Sequence, residues 1–204
     1  MTTYAIIPVK PLHESKRRLA HLLSAEQRAD LIYRFLDDLL GVLNRTPGID
    51  RVLVVTGDAA VATLAQARGA TLLREVIPAG LNAAVARGVE FAARQGATAA
   101  LVLPADLPFV RLVDIEAMLR PLTTAGRPLV ALTGDEDEEG TNALLLAPPG
   151  DFTFHYGPGS FEAHRVEAAV RHRAIHVINA PGLRFDLDTE ADWRAYRGEL
   201  VGTD

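Results

Sequence analysis

Seven apolar runs of strand length, separated for the most part by stretches with helical periodicity, constrain this chain more than any other feature. They fall at Tyr4–Val9, Arg51–Thr56, Ala70–Arg74, Thr98–Leu103, Leu129–Thr133, Asn142–Leu146 and Ala174–Ile178. Most are continuous rather than alternating, the pattern of strands covered on both faces. Helical patterns occupy Ser24–Leu43, Asp58–Arg68, Leu81–Gln95, Val113–Leu122, Ser160–Val170 and Thr189–Arg197. This alternation predicts an α/β fold with a mostly parallel sheet and helices on both faces. At 204 residues and 49% hydrophobic content, the chain has the material for one sizeable core, so a single domain over residues 1–204 is expected. Ser24 followed by Gln27 reads as a capping box that starts the longest helix, ahead of Leu31, Ile32, Phe35, Leu36, Leu39 and Leu40. Two stretches break the pattern and read as loops over a site: the acidic Gly134–Gly140 and the Pro, Gly and aromatic segment Pro148–Gly159.

Charge and composition narrow the function. A net charge of −5 disfavours a nucleic-acid surface, while Lys10, Lys16, Arg17 and Arg18 form a local basic cluster suited to a phosphorylated metabolite. The absence of cysteine removes disulfides, thiolate nucleophiles and Cys-ligated metals, and points to the cytoplasm. The residues before Lys10 are too few for a signal peptide, and no apolar run reaches membrane-spanning length, so a soluble protein is expected.

Two acidic motifs carry the chemistry. Leu103-Pro104-Ala105-Asp106-Leu107-Pro108 and Phe185-Asp186-Leu187-Asp188-Thr189 each follow an apolar run that reads as a buried strand, and ligands of open α/β sheets bind beyond strand ends. Together Asp106, Asp186 and Asp188 have the hard oxygen ligands to hold magnesium against a nucleoside triphosphate. Each also has a plainer reading as a turn residue or helix cap. The loop Val9–Leu19 places its cations after the first strand, where they would meet triphosphate oxygens or serve only as a solvated loop. It holds no Walker-A pattern, and Gly157-Pro158-Gly159 does not complete a dinucleotide fingerprint. Ser160 reads as the N-cap of a helix whose free N–H groups suit a phosphate or carboxylate, with His164 one turn on. Gly80 and Asn82 open another helix, where Gly80 would admit close backbone approach and Asn82 would read a base edge, unless both simply start the helix. The remaining histidines show no metal-ligand spacing, and the acidic run Asp135–Glu139 reads as a solvated mobile loop.

In order and spacing, six segments resemble one enzyme family nearly end to end. They are Ile7-Pro8-Val9-Lys10-Pro11-Leu12 with Ser15-Lys16-Arg17-Arg18-Leu19, then Gly80-Leu81-Asn82, Leu103–Pro108, Gly140-Thr141-Asn142-Ala143-Leu144, Gly157-Pro158-Gly159-Ser160-Phe161 and Asp186-Leu187-Asp188-Thr189. The family is that of guanylyltransferases forming the precursor of the deazaflavin coenzyme, acting on phosphoenolpyruvate in bacteria and 2-phospho-L-lactate in archaea. The resemblance implies a three-layer, Rossmann-like nucleotidyltransferase fold of the GT-A type. It implies GTP at Pro8, Lys10, Lys16, Gly80, Asn82 and Asp106, and Mg²⁺ at Asp106, Asp186 and Asp188. The small phosphorylated acid would sit at Thr141, Gly157, Ser160 and His164, with Lys10, Lys16 and Arg18 as catalytic cations. A homodimer is also consistent with the family.

The expected reaction is guanylyl transfer, in which an acceptor phosphate oxygen attacks the α-phosphorus of GTP and pyrophosphate leaves. Because the acceptor brings its own anionic nucleophile, no nucleophilic side chain is required. The Ala-, Arg- and Gly-rich composition is of a bacterial kind, so phosphoenolpyruvate is the expected acceptor; 2-phospho-L-lactate and 3-phosphoglycerate differ from it by small uncharged groups. The alternatives are a metal-dependent glycosyltransferase or other sugar-phosphate nucleotidyltransferase, using the Asp186–Asp188 pair, and a nucleotide-sensing module without turnover.

Overall fold

A computed structural model describes residues 1–75, 77 and 79–201. The strands are β1 (Thr3–Val9), β2 (Arg51–Thr56), β3 (Thr71–Arg74), β4 (Ala99–Val102), β5 (Leu129–Gly134), β6 (Thr141–Ala147) and β7 (Ala174–Val177). The helices are α1 (Ala25–Leu43), α2 (Ala59–Ala67), α3 (Leu81–Arg94), α4 (Leu112–Leu119), α5 (Pro121–Thr124), α6 (Ser160–Val170), α7 (Pro181–Arg184) and α8 (Glu190–Val201). Every expected strand is present within two residues of its expected ends. The strands form one seven-stranded sheet in the order β3-β2-β1-β4-β6-β5-β7, and all run the same way except β6, which is antiparallel to both neighbours.

Alternate residues of each central strand feed two cores. Ala5, Ile7, Leu101, Leu103 and Leu145 face a large core completed by α1, α2, α4 and α7, while Ile6, Leu53, Val102, Leu144 and Leu146 face a smaller one completed by α3 and α6. The result is three layers, helix–sheet–helix. Gly88 of α3 lets that helix lie close on the sheet, since a Cβ there would stand 2.7 Å from Ile6 Cγ2. The capping box forms as expected: Gln27 N–H donates to Ser24 Oγ at 3.2 Å and Ser24 N–H to Gln27 Oε1 at 2.8 Å.

Two local expectations are corrected. Asp186 and Asp188 do not follow a strand directly: after β7 the chain makes one helical turn at Pro181–Arg184 and only then reaches them, tied by Leu187 N–H to the Asp106 carbonyl at 3.3 Å. Ser160 is not the N-cap of α6. Gly159, at φ 71°, takes that position, and Ser160 is the first helical residue; a left-handed conformation is cheap for glycine and costly for serine. No helix among the described residues is long and apolar enough to cross a membrane.

Candidate active site

Parallel strands deliver their C-terminal ends to one edge of the sheet, and there the first loop meets both acidic motifs. The loop leaves β1 at Lys10 and folds as two 3₁₀ turns, Leu12–Glu14 and Arg17–Leu19, with Lys16 between them at φ 51°. A left-handed lysine costs about 1 kcal/mol of backbone strain, and the loop is braced to hold it. Asp58, which caps α2, accepts the Leu12 N–H at 2.9 Å. Buried Arg28 of α1 donates to the Ser15 carbonyl at 3.2 Å and the Leu23 carbonyl at 2.7 Å.

Held this way, the Lys16 side chain is buried, with Nζ 2.5 Å from Asp106 Oδ2 and 3.6 Å from Asp188 Oδ1. Burial alone would weaken its hold on the proton, but the charge of Asp106, backed by Asp188 and Asp186, more than offsets this and raises the pKa above the usual lysine value. Arg18, exposed to solvent, donates to Asp188 Oδ2 at 2.8 Å. Asp186 is governed first by burial and then by the neighbouring charge of Asp106. These push its pKa up to about 6, against the opposing hydrogen bond from Asn142 and the charge of Lys16. Asp106 and Asp188 therefore flank the Lys16 ammonium, and Asp186 stands near enough for its charge to be felt there.

Whether this cluster suits a metal is a matter of charge and donor type. Its ligands are hard carboxylate oxygens carrying more negative charge than Lys16 balances, which suits a divalent cation such as Mg²⁺. As the side chains lie, however, no three acidic or histidine groups among the described residues stand close enough together to hold one. Lys16 or the carboxylates would have to shift to admit it.

A cleft of about 310 Å³ opens in front of this cluster, lined by Pro8, Lys10, Lys16, Gly80, Asp106 and Asp188 among others. Lys10 is exposed at its rim. Gly80 precedes α3 at φ 90°, and an added Cβ would meet nothing within 4 Å, so the glycine serves the backbone turn and leaves open space beside it. Asn82 is exposed, but its amide is engaged with the protein: its Oδ1 accepts from Tyr156 N–H at 2.7 Å and its Nδ2 donates to the Tyr156 carbonyl at 3.1 Å. It thereby clamps the Pro148–Gly159 segment onto α3. Glu75, just after β3, also lines the cleft; its side chain is buried, and among the described residues Oε1 has no hydrogen-bond partner.

A second group gathers at the start of β6. Between the Thr133–Ala143 and Gly134–Thr141 pairs, β6 carries one extra residue, Asn142, a bulge that re-aims the side chains around it. Asn142 Nδ2 reaches the Arg184 carbonyl and Asp186 Oδ1, both at 3.3 Å, while Thr141 faces α6. There Thr141 Oγ1 lies 2.9 Å from His164 Nδ1 and 3.3 Å from Ser160 Oγ. His155 N–H donates to His164 Nε2 at 2.9 Å, so a neutral ring carries its proton on Nδ1 and gives it to Thr141. Burial, then the charge of His155, lowers the His164 pKa to about 4. Both ring nitrogens are spent on the protein and the side chain is fully buried, so His164 orients Thr141 from behind. Gly157, at φ 134°, is exposed on the loop before α6. The acidic tip between β5 and β6 is solvated but tied: Asp135 accepts from Glu139 N–H at 2.9 Å and Gly140 N–H at 2.6 Å.

With this arrangement in view, comparison with known proteins is decisive. The family model described as "Guanylyl transferase CofC like" matches residues 3–197. The chain belongs to that family. It is thereby a nucleotidyltransferase, and relatives within the family agree. A phosphoenolpyruvate guanylyltransferase of Rubrobacter xylanophilus is 42% identical over 193 residues, covering 94% of this chain and 92% of the relative. One of Conexibacter woesei is 39% identical, covering 100% and 90%. Solved structures share the fold at lower identity. A Desulfovibrio desulfuricans protein assigned to the nucleotide-diphospho-sugar transferases superposes with a TM-score of 0.76 at 16% identity, covering 100% of this chain and 90% of that one. Glucosyl-3-phosphoglycerate synthase of Mycobacterium tuberculosis, solved with Mn²⁺, uridine diphosphate and its product, gives 0.67 at 14%, covering 98% and 77%. The α/β architecture is thus that of GT-A-like nucleotidyltransferases and sugar-nucleotide enzymes.

Nothing in the sequence placed Arg28 or Glu75 at the site, and Asn142 stood out only as part of a motif. An arginine in the first turn of a helix and a glutamate after a strand each read as solvated surface, and no local pattern marks a bulge.

Proposed function

We propose that the protein transfers GMP from GTP to phosphoenolpyruvate, with loss of pyrophosphate, in biosynthesis of the deazaflavin coenzyme. The observation that carries this reading is the buried Lys16 ammonium between Asp106 and Asp188 at the ligand edge of the sheet, within a guanylyl transferase family. The names of relatives within the family support phosphoenolpyruvate as the acceptor. A phosphate oxygen of the acceptor attacks the α-phosphorus, forming a diphosphate bridge as the bond to pyrophosphate breaks. Lys10, Lys16 and Arg18 offer cations to the phosphates and to the leaving pyrophosphate, whose growing charge they stabilise. Asp106, Asp186 and Asp188 would hold Mg²⁺, which supplies charge neutralisation at the phosphates when bound. Thr141 and Ser160, with Gly157, receive the carboxylate and phosphate of the acceptor, and His164 fixes the Thr141 hydroxyl.

The test incubates the protein with GTP and Mg²⁺ plus phosphoenolpyruvate, 2-phospho-L-lactate or 3-phosphoglycerate in turn, with mass detection of products. Coupling of GMP to phosphoenolpyruvate in preference to the others is expected, and coupling to none refutes the proposal. Asp106→Ala and Asp188→Ala should each abolish turnover in a folded protein; more than about a tenth of wild-type activity in either would contradict the metal assignment.

A further inference from the structure

We infer that Glu75 is the base-reading residue of the cleft and that it selects guanine. This rests on the reading of the cleft as a nucleoside triphosphate site, which it deepens by naming the group that recognises the base. A buried carboxylate oxygen without a partner forfeits its hydrogen bonds, a cost a protein meets where a ligand supplies the donor. Among the described residues Glu75 Oε1 is such an atom, and its residue lines the same cleft as Lys16 and Asp106.

The topology separates the two ends of that cleft. Glu75 follows β3, whereas Lys16 follows β1 and Asp106 follows β4, and the sheet order is β3-β2-β1-β4. Neighbouring strands lie about 4.8 Å apart, so Glu75 and Asp106 issue from strands roughly 14 Å apart along the edge. Phosphates held at the cationic end would leave the base at Glu75. The cleft has apolar walls suited to a flat ring: Pro8, Leu81 and Ala84 line it, and Leu81 is 48% exposed despite its apolar side chain. The backbone is fixed as well. Glu75 N–H donates to the Thr56 carbonyl at 2.9 Å, and a Cβ on Gly57 would lie 2.6 Å from the Glu75 carbonyl oxygen, so the chain at Glu75 rests directly on Gly57.

The chemistry of the bases then makes the choice. A carboxylate only accepts hydrogen bonds. Guanine presents two adjacent donors, N1–H and the 2-amino group, on one edge. Adenine and cytosine set an acceptor nitrogen beside their single amino donor, and uracil flanks its one N–H with carbonyl oxygens. Each of these turns a lone pair toward the carboxylate. A site built for donors rejects such analogues strongly, because its own buried group is again left unpaired.

Calorimetric titration with GTP, ITP, XTP and ATP tests this independently of turnover. ITP lacks the 2-amino donor, and the wild-type protein should bind it at least about tenfold more weakly than GTP. In Glu75→Gln the amide pairs one acceptor and one donor, matching xanthine's N1–H and 2-oxo group. The ratio of GTP to XTP affinity should therefore fall by at least about tenfold. Wild-type affinities for GTP and ITP within twofold, or an unchanged ratio in the folded variant, would overturn the assignment. If Glu75→Gln fails to fold, the wild-type comparison decides alone. Guanylyl transfer is scored separately: base selection without transfer would sink the proposed reaction and leave Glu75 standing, and transfer without base selection would do the reverse.

Discussion

Gly182 is the point where a single added methyl group should do the most damage to the site without touching it. Its φ is not in the left-handed region, so glycine is required there for space rather than for backbone freedom. A Cβ at Gly182 would lie 2.3 Å from Asp114 Oδ2 and 2.5 Å from the Phe109 carbonyl oxygen, against the 3.4 Å or more of an ordinary contact. Because one obstacle is backbone and the other a buried carboxylate, relief requires α7 to move away from α4. Separation breaks the 3.1 Å hydrogen bond from Gly182 N–H to Asp114 Oδ1, worth about 1.5–3 kcal/mol with a charged acceptor. Overpacking adds about 1–3 kcal/mol. Gly182→Ala should therefore lose about 3–5 kcal/mol in urea unfolding followed by circular dichroism. Since Asp186 and Asp188 follow α7 directly, kcat/KM should also fall by tenfold or more, as a misplacement of about 1 Å is enough to cost that much. Gly41→Ala is the control: it lies inside α1 with nothing within 4 Å of an added Cβ, and it should gain about 0.5–1 kcal/mol. A Gly182→Ala protein within about 1 kcal/mol of wild type would refute the argument that α4 and α7 are locked through Asp114.

His164 makes stability fall in acid. Its folded pKa of about 4 lies below the unfolded 6.5, so the stability it permits is present above pH 6.5 and is lost as pH falls through that window, when only the unfolded chain gains the proton. At pH 5 the loss should be about 2 kcal/mol relative to pH 7.5, and His164→Asn should remove most of that slope in urea unfolding at the two pH values. Arg28→Lys should raise the KM for GTP and cost about 2–3 kcal/mol of stability, because one ammonium cannot replace the guanidinium that spans the Ser15 and Leu23 carbonyls. Unchanged KM and stability in Arg28→Lys would mean the first loop holds its shape without this brace.

The layers of the fold were legible because a strand buried on both faces must be apolar at nearly every position, and Ala5–Val9 or Ala99–Leu103 has no other plausible fate. Direction was not legible: Ala143–Ala147 reads the same in a parallel or an antiparallel strand, so the reversal of β6 appears only once its neighbours are known. The link from β7 to Asp186 was not legible either: Ala174–Ile178 is a strand as read, but the helical turn at Pro181–Arg184 stands between it and the acidic pair. In the site, the basic loop and the acidic motifs do meet, which their positions after strands anticipated. The engagement of Asn142 with Asp186 depends on a bulge, and that of His164 on the fold of a loop. Such contacts arise from tertiary geometry and leave no periodic trace.

Reversal of β6 saves the chain a crossover. Parallel neighbours need a dozen or more residues to return to the same edge, whereas Asp135–Gly140 brings the chain from the end of β5 to the start of β6 in one tight hairpin. That tip stands on the ligand edge and leans on two helices, since the Glu136 carbonyl accepts from Arg184 of α7 and the Glu139 carbonyl from the Phe161 N–H of α6. A change in its length would therefore be felt first at Thr141 and Asn142, where β6 begins, and last at Lys16, which hangs from β1. The hairpin thus couples the start of β6 to both helices beside it.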